Sequence, residues 1–313
     1  MEFKPKKNIL LLYPDTFDHV KQSINLGKAG EMEDAIKTLK EWVYKQPHFK
    51  RKDFCDSLLQ SAIIASKGSI EASKQKIDRI CTLRTLMPDT FKCFDARKDF
   101  EHVFRNIQIT VLPRLTKEHY RIFTVKVNGS VESSQVTDAM KYTLLIGDYM
   151  KACDCIAEFV AVFDLSEVNS MVDLITSLNV VHLRNSLTVC FEGHGLRLKG
   201  LYFITTSRVI DTLITILKQL LKPKIIQRIK IFKSWDDVHD TIGKDVLPVD
   251  FGGYEKSEQE VHDEWINALC DEDFRKYLKE LNSATVDESS RPSCKFIEEY
   301  AGMPGTFRLL SVD

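Results

Sequence analysis

From Ile107 onward, short β-branched or apolar runs alternate with segments of helical period, and this alternation constrains the fold more than any other feature of the chain. "IQITVLP" and "RIFTVKV" are β-branched runs separated by "RLTKEHY", and the second ends at the turn signal Asn128-Gly129. "AEFVAVFDL", "KGLYFIT" and "RIKIF" are later runs of buried-strand character. Between them, "VTDAMKYTLLIGDYMKACDC", "NSMVDLITSLNVVHLRNSL" and "RVIDTLITILKQLLKPK" carry helical periodicity. Strands that alternate with helices imply an α/β fold in which helices pack on a largely parallel sheet.

Upstream, roughly residues 15–94 read as helices. "DAIKTLKEWVYK" places Ala35, Leu39, Trp42 and Val43 on one face, and Pro88 after Met87 closes the block. With 313 residues the chain is long for one compact domain. The expected division is an all-helical domain over 1–95, an α/β domain over 96–285, and a linker and tail over 286–313. "NSATVDESSRPS" reads as a flexible arm, and "FRLLSVD" as a small apolar patch docked back on the body.

The segment Arg208–Lys224 combines two signals. Val209, Ile210, Leu213, Ile214, Ile216, Leu217, Leu220 and Leu221 share one arc, with Ser207 as N-cap and Pro223 as a stop. Such a face either packs statically on a sheet or covers an apolar cavity and swings toward a membrane; periodicity alone does not separate the two. The basic residues Lys218, Lys222, Lys224, Arg228, Lys230 and Lys233 follow with no acidic residue among them, and Arg197 and Lys199 stand upstream. In a chain of net charge −1 this is a local concentration, either a solvated surface or a site for an anionic lipid.

Other classes find little support. Bulk charge does not suggest a nucleic-acid binder. No run of about 18 uncharged apolar residues is present to span a bilayer. "ILLLY" is too short for a secretory h-region, so a cytoplasmic protein with reduced cysteines is expected. Asp250-Phe251-Gly252 matches the magnesium motif of protein kinases, but no glycine-rich phosphate loop or catalytic loop precedes it. Cys153 and Cys155 have no second ligand pair at zinc spacing. No nucleophile elbow or P-loop occurs, so no catalytic residue, metal site or cofactor is expected.

The order of "GLRLKGLYFIT", the apolar helix, "LLKPKIIQRIKIF" and "LPVDFGG", with "FDL" at Phe163–Leu165 and "LPRLT" at Leu112–Thr116, resembles the CRAL-TRIO lipid-transfer family, in particular its tocopherol and retinaldehyde carriers. The resemblance spans about residues 15–281. It implies a helical N-terminal domain and a helix–sheet–helix sandwich around a five-stranded, mostly parallel sheet. It also implies an apolar pocket for a single lipid, closed by a gate at Val209–Leu221. Phosphoinositide would bind at Arg197, Lys199, Lys224 and Arg228. The helical part departs from the family: where an arginine-bearing motif is usual, this chain has "LLQSAIIA", Leu58–Ala65.

On strand alternation, Phe159, Ala161 and Phe163 share one face and Val160 and Val162 the other. Family alignment favours the phenylalanine face as pocket wall. Met171, Leu174 and Ile175 would add to it, with Phe203 and Leu201, or else Tyr202 and Ile204, from the next strand; Phe203 is preferred. Ile210, Leu213, Ile214 and Leu217 would close the lid, and Tyr142 and Tyr149 offer hydroxyls. For each of these residues plain core packing is the competing explanation. The expected function is binding and intermembrane transfer of one small terpenoid-like lipid by a monomer. Release would occur at anionic, phosphoinositide-containing membranes that the protein visits peripherally. The alternative is a phosphoinositide-sensing adaptor without net transfer.

Overall fold

The computed structural model describes residues 3–292. Four helices, α1 (Thr16–Ser23), α2 (Glu31–Lys45), α3 (Asp56–Ala65) and α4 (Ile70–Leu86), form the helical block expected upstream. The α2 face read from periodicity is buried at Ala35, Leu39 and Val43, together with Met32 and Ile36. The block does not seal its own core: Leu115, Cys155, Ile156, Ala157, Ala284 and Val286 complete its apolar cluster. A single-turn helix α5 (Glu101–Phe104) leads into the sheet.

Among the described residues five strands form one sheet in the order β1 (Ile107–Leu115), β2 (Arg121–Gly129), β3 (Glu158–Val168), β4 (Arg197–Ile204), β5 (Ile229–Phe232). Only the β1–β2 pair is antiparallel. The connecting helices are α6 (Ser133–Cys153), then α7 (Met171–Ser177) and α8 (Val180–Thr188), then α9 (Ile210–Leu220) and α10 (Pro223–Ile226). One helical run was expected over Asn169–Leu187; the structure breaks it at Leu178 and restarts it at the Asn179 cap, whose side chain accepts from the Val181 and His182 amides. The Ser207 expectation needs a correction. The N-cap of α9 is Val209, and the Ser207 hydroxyl instead accepts the Val209 amide at 3.3 Å, one step ahead of the helix. Pro223 both follows the end of α9 and opens α10.

The sheet has two unlike faces. One buries Ile122, Val160, Val162, Tyr202 and Ile204 against α11 (Asp236–Ile242) and the "LPVDFGG" segment. That segment is a compact turn. Gly252 adopts φ +73°, and a Cβ on Gly253 would lie 2.0 Å from the Leu247 carbonyl oxygen, so both positions require glycine. Phe251 stacks on Trp235 with ring centroids 3.9 Å apart, and Asp250 accepts the Glu258 amide at 2.6 Å. The aspartate of the kinase-like triplet therefore holds the start of α12 (Glu258–Leu269).

Residues 3–12 and α13 (Glu272–Asn282) wrap the other end of the body. Arg121 at the start of β2 is fully buried and donates to both Asp154 oxygens, at 3.0 and 3.2 Å, and to the Leu11 and Pro113 carbonyls. It thereby ties the N-terminal strap, the first hairpin and the α6–β3 turn together. The stretch read as a flexible arm is docked through Arg291. Val286 forms a β-bridge with Phe49, and Arg291 pairs with Asp78 at 2.5 Å and Glu288 at 2.7 Å. "FRLLSVD" lies outside the described residues.

Candidate functional site

The second sheet face lies beneath α7 and α9. Parallel register aligns Phe159 with Leu198, Ala161 with Leu201 and Phe163 with Phe203, while Phe123 stands beside Ala161 on β2. The Phe163 and Phe203 rings stack at 5.5 Å with an interplanar angle of 28°. Leu201 and Phe203 therefore occupy this face, and Tyr202 and Ile204 the opposite one. Met171 and Leu174 of α7 and Ile210, Leu213 and Leu217 of α9 are buried in the same apolar cluster. Ile175 and Ile214 pack against it half-buried, as does Phe163. All eleven residues proposed as pocket wall and lid belong to one apolar cluster, eight of them buried and three packed against it.

This layer is less closed than its counterpart across the sheet. Phe123, Phe163, Ile175, Leu183, Leu187 and Ile214 are half-buried there, and α8 has no buried residue. Val172, Val180 and Val181 on its rim are 54%, 43% and 41% exposed. The opposite face has fewer such residues, Tyr120, Phe232 and Trp235 being half-buried there. Two resolved cavities, about 140 and 40 Å³, lie elsewhere: one under the N-terminal strap beside Tyr149, the other between α3, α4 and α6. Ile210, Leu213 and Leu217 of α9 are buried in the same apolar cluster as the sheet face.

Tyr142 and Tyr149 do not offer hydroxyls to α9. Tyr142 packs on Phe100 and Phe104, and Tyr149 on Phe3, Trp265 and Phe274. The Tyr142 ring faces α5 and the residue before it, and the Tyr149 ring faces the strap and the C-terminal helices.

The four basic residues differ in freedom. Arg197 and Lys199 both reach Glu158, at 3.6 and 3.0 Å. Arg228 donates to the Leu198 carbonyl, and Lys224 is exposed. A bulge explains the first pair. Phe159 pairs with Leu198 but Val160 with Gly200, so Lys199 is the extra residue, and plain alternation along β4 fails there.

Sequence reasoning missed cations supplied by α4. Burial lowers the Lys76 ammonium below the usual lysine value; Glu192 opposes this, and the positive fields of Lys222, Arg79 and Arg197 reinforce it. Arg79 pairs with Glu192 at 3.2 Å. Burial also lowers Arg197, whose Nε has no partner in the interior. Lys76 and Arg79 are three residues apart on one helical face, a signal present in the sequence. The helical block thus brings positive charge toward Arg197 of β4 from α4.

Among the described residues no group of three or more His, Cys, Asp or Glu side chains is arranged to hold a metal. No described helix is long and apolar enough to cross a membrane.

Residues 105–253, from the end of α5 through the glycine pair after α11, match the family model for the CRAL/TRIO domain. This chain carries a CRAL/TRIO domain. The domain encloses all five strands, the gate-like α9 and the glycine turn, and it supports lipid binding or transfer in general. A solved structure titled "Crystal structure of Sfh5" is 12% identical, with 87% of this chain and 99% of that chain covered at a TM-score of 0.47. No curated protein matches the chain.

Proposed function

We propose that the protein binds one small apolar lipid, of isoprenoid or similar chemistry, between the Phe159–Ala161–Phe163 face and α9, and exchanges it at anionic membranes. The observation that carries this reading is the unequal closure of the two sheet faces. One leaves Tyr120, Phe232 and Trp235 half-buried; the other leaves more aromatic and aliphatic side chains half-buried, alongside a helix with one continuous apolar face. An apolar layer with few polar groups suits a hydrocarbon-rich ligand.

In the state described here the apolar face of α9 is buried in the cluster that also holds Phe163 and Phe203. Loading would move that face away from the cluster and onto cargo or bilayer. This is a population shift biased by whichever partner binds the open state better. Arg197, Lys199, Lys224 and Arg228, with Lys76 and Lys222, would bring the mouth to an anionic headgroup such as a phosphoinositide. Residues 1–95 would act with the lipid-binding domain of 96–285 rather than as a separate unit, and the protein would work as a monomer at the cytoplasmic face of membranes.

Native mass spectrometry of freshly purified full-length protein tests the reading, followed by vesicle-to-vesicle transfer with retinoids, tocopherols, other isoprenoids and phospholipids. The expected result is one bound lipid per chain and transfer above the spontaneous rate. Absence of co-purifying lipid together with failure of the whole panel to bind overturns it. Binding to phosphoinositide vesicles without transfer would instead identify an adaptor.

A further inference from the structure

We propose that Lys151 is a modification site at which a small aldehyde condenses with the side-chain amine to form an imine. Lys151 lies near the end of α6, away from the α9 face, and lines the cavity of about 40 Å³ between α3, α4 and α6. Leu58, Ile77, Ile80 and Leu281 give that cavity an apolar floor. The cavity shares none of the eleven apolar residues of the proposed lipid layer; Lys76, which lines it, is the one residue it has in common with the basic mouth.

The surroundings favour a neutral amine. An ammonium has three N–H donors, yet Nζ has one acceptor, the Ser61 hydroxyl at 3.0 Å. Lys76 and Arg197 face it with like charge, and Asp154 and Asp148 with opposite charge. Both carboxylates are already engaged. Asp154 is held by Arg121, and Asp148 by Arg84 at 2.6 Å and His194 at 3.0 Å. Burial, reinforced by Lys76, brings the amine down to about 7. A desolvated lysine beside another cation is the arrangement that makes an amine nucleophilic near neutrality.

The chemistry closes without an external oxidant or reductant. The Nζ lone pair forms the C–N bond to the carbonyl carbon, and a proton moves from nitrogen to oxygen. The C–O bond of that carbinolamine then breaks, oxygen leaves as water, and C=N forms. A volume of about 40 Å³ holds on the order of three water-sized groups, which limits the partner to short aldehydes.

The test incubates the full chain with limiting propanal and sodium cyanoborohydride, which reduces the imine to a stable secondary amine, and maps the propyl group by peptide mass spectrometry. Lys151 should be labelled at least about tenfold faster than exposed lysines at pH 7, since an ordinary lysine titrates near 10.4. Its rate should level off above a midpoint near 7. The preference should vanish in urea and shrink with a bulky aromatic aldehyde. Lys151→Met and Lys151→Arg should abolish the fast label; if either fails to fold, the comparison of native with urea-unfolded wild type still decides. Label confined to exposed lysines, or a Lys151 rate still climbing near pH 10 in the folded protein, overturns the proposal.

Discussion

Glu258 shows how much one side chain can hold in reserve. It opens α12 with its amide bound to Asp250, but its own Oε1 is buried without a partner. Burial pushes its carboxyl from 4.5 up to about 8; Lys126 opposes, and Asp250, Asp164 and Glu167 add to the rise. The folded protein therefore keeps this proton between roughly pH 4.5 and 8, where the unfolded chain has released it. The folded state binds more protons in that window, so the stability contributed by Glu258 is full below 4.5 and is lost as pH rises toward 8. Glu258→Gln, which mimics the protonated form, should match wild type in stability near pH 4.5. It should become more stable by about 1–3 kcal/mol at pH 8. Urea unfolding at three pH values reads this directly, and parallel stability curves for the two proteins would contradict it.

At the scale of elements, the question is whether α9 is a lid or ordinary core. Leu217 of α9 and Leu247 of the glycine turn are both buried leucines, on opposite sides of one sheet. Leu247→Ala, in the closed layer, should cost about 2–5 kcal/mol. Leu217→Ala should cost less, under about 2 kcal/mol, because its layer is loosely closed and relaxes around the loss. Chemical denaturation of both variants compares them; equal costs would make α9 plain core. Much of this element was legible beforehand. The apolar arc gave its extent to within a residue, and alternation along β3 separated Phe159, Ala161 and Phe163 from Val160 and Val162 because the register shift at Phe159/Val160 puts its extra residue on β4. Legibility ended where position depends on distant chain. The Lys199 bulge shifts the register of β4 against Glu158 without any local signal. Residues 283–292 look like an arm by composition, yet Arg291 finds Asp78 and Glu288. Lys151 reads as an ordinary end of α6 until Ser61, Lys76 and Arg197 arrive from three other elements.

For the molecule as a whole, the net charge of −1 conceals a directional distribution. Lys218, Lys222, Lys224, Lys230 and Lys233 are all exposed at the α9–α10–β5 edge, near the exposed Ile231. Two physical roles compete for them. Lysines on an edge strand prevent sheet-to-sheet pairing, which suits Lys230 and Lys233 in and beyond β5. Lysines at the mouth beneath α9 would instead meet an anionic leaflet, which suits Lys222 and Lys224 on α10. Arg197, Lys199 and Arg228 are already engaged by Glu158 or the Leu198 carbonyl, so they have less charge to offer a membrane without rearrangement. Each exposed lysine at an anionic surface contributes about 1 kcal/mol, so Lys222→Gln with Lys224→Gln should weaken binding to phosphatidylserine or phosphoinositide vesicles by about 30-fold. The loss should disappear in neutral vesicles and fade as salt is raised. Lys230→Gln with Lys233→Gln should leave vesicle binding nearly unchanged and raise the tendency to aggregate. Vesicle co-sedimentation with light scattering on both pairs reads the two roles apart; the reverse pattern would move the membrane-facing surface from the mouth beneath α9 to the sheet edge.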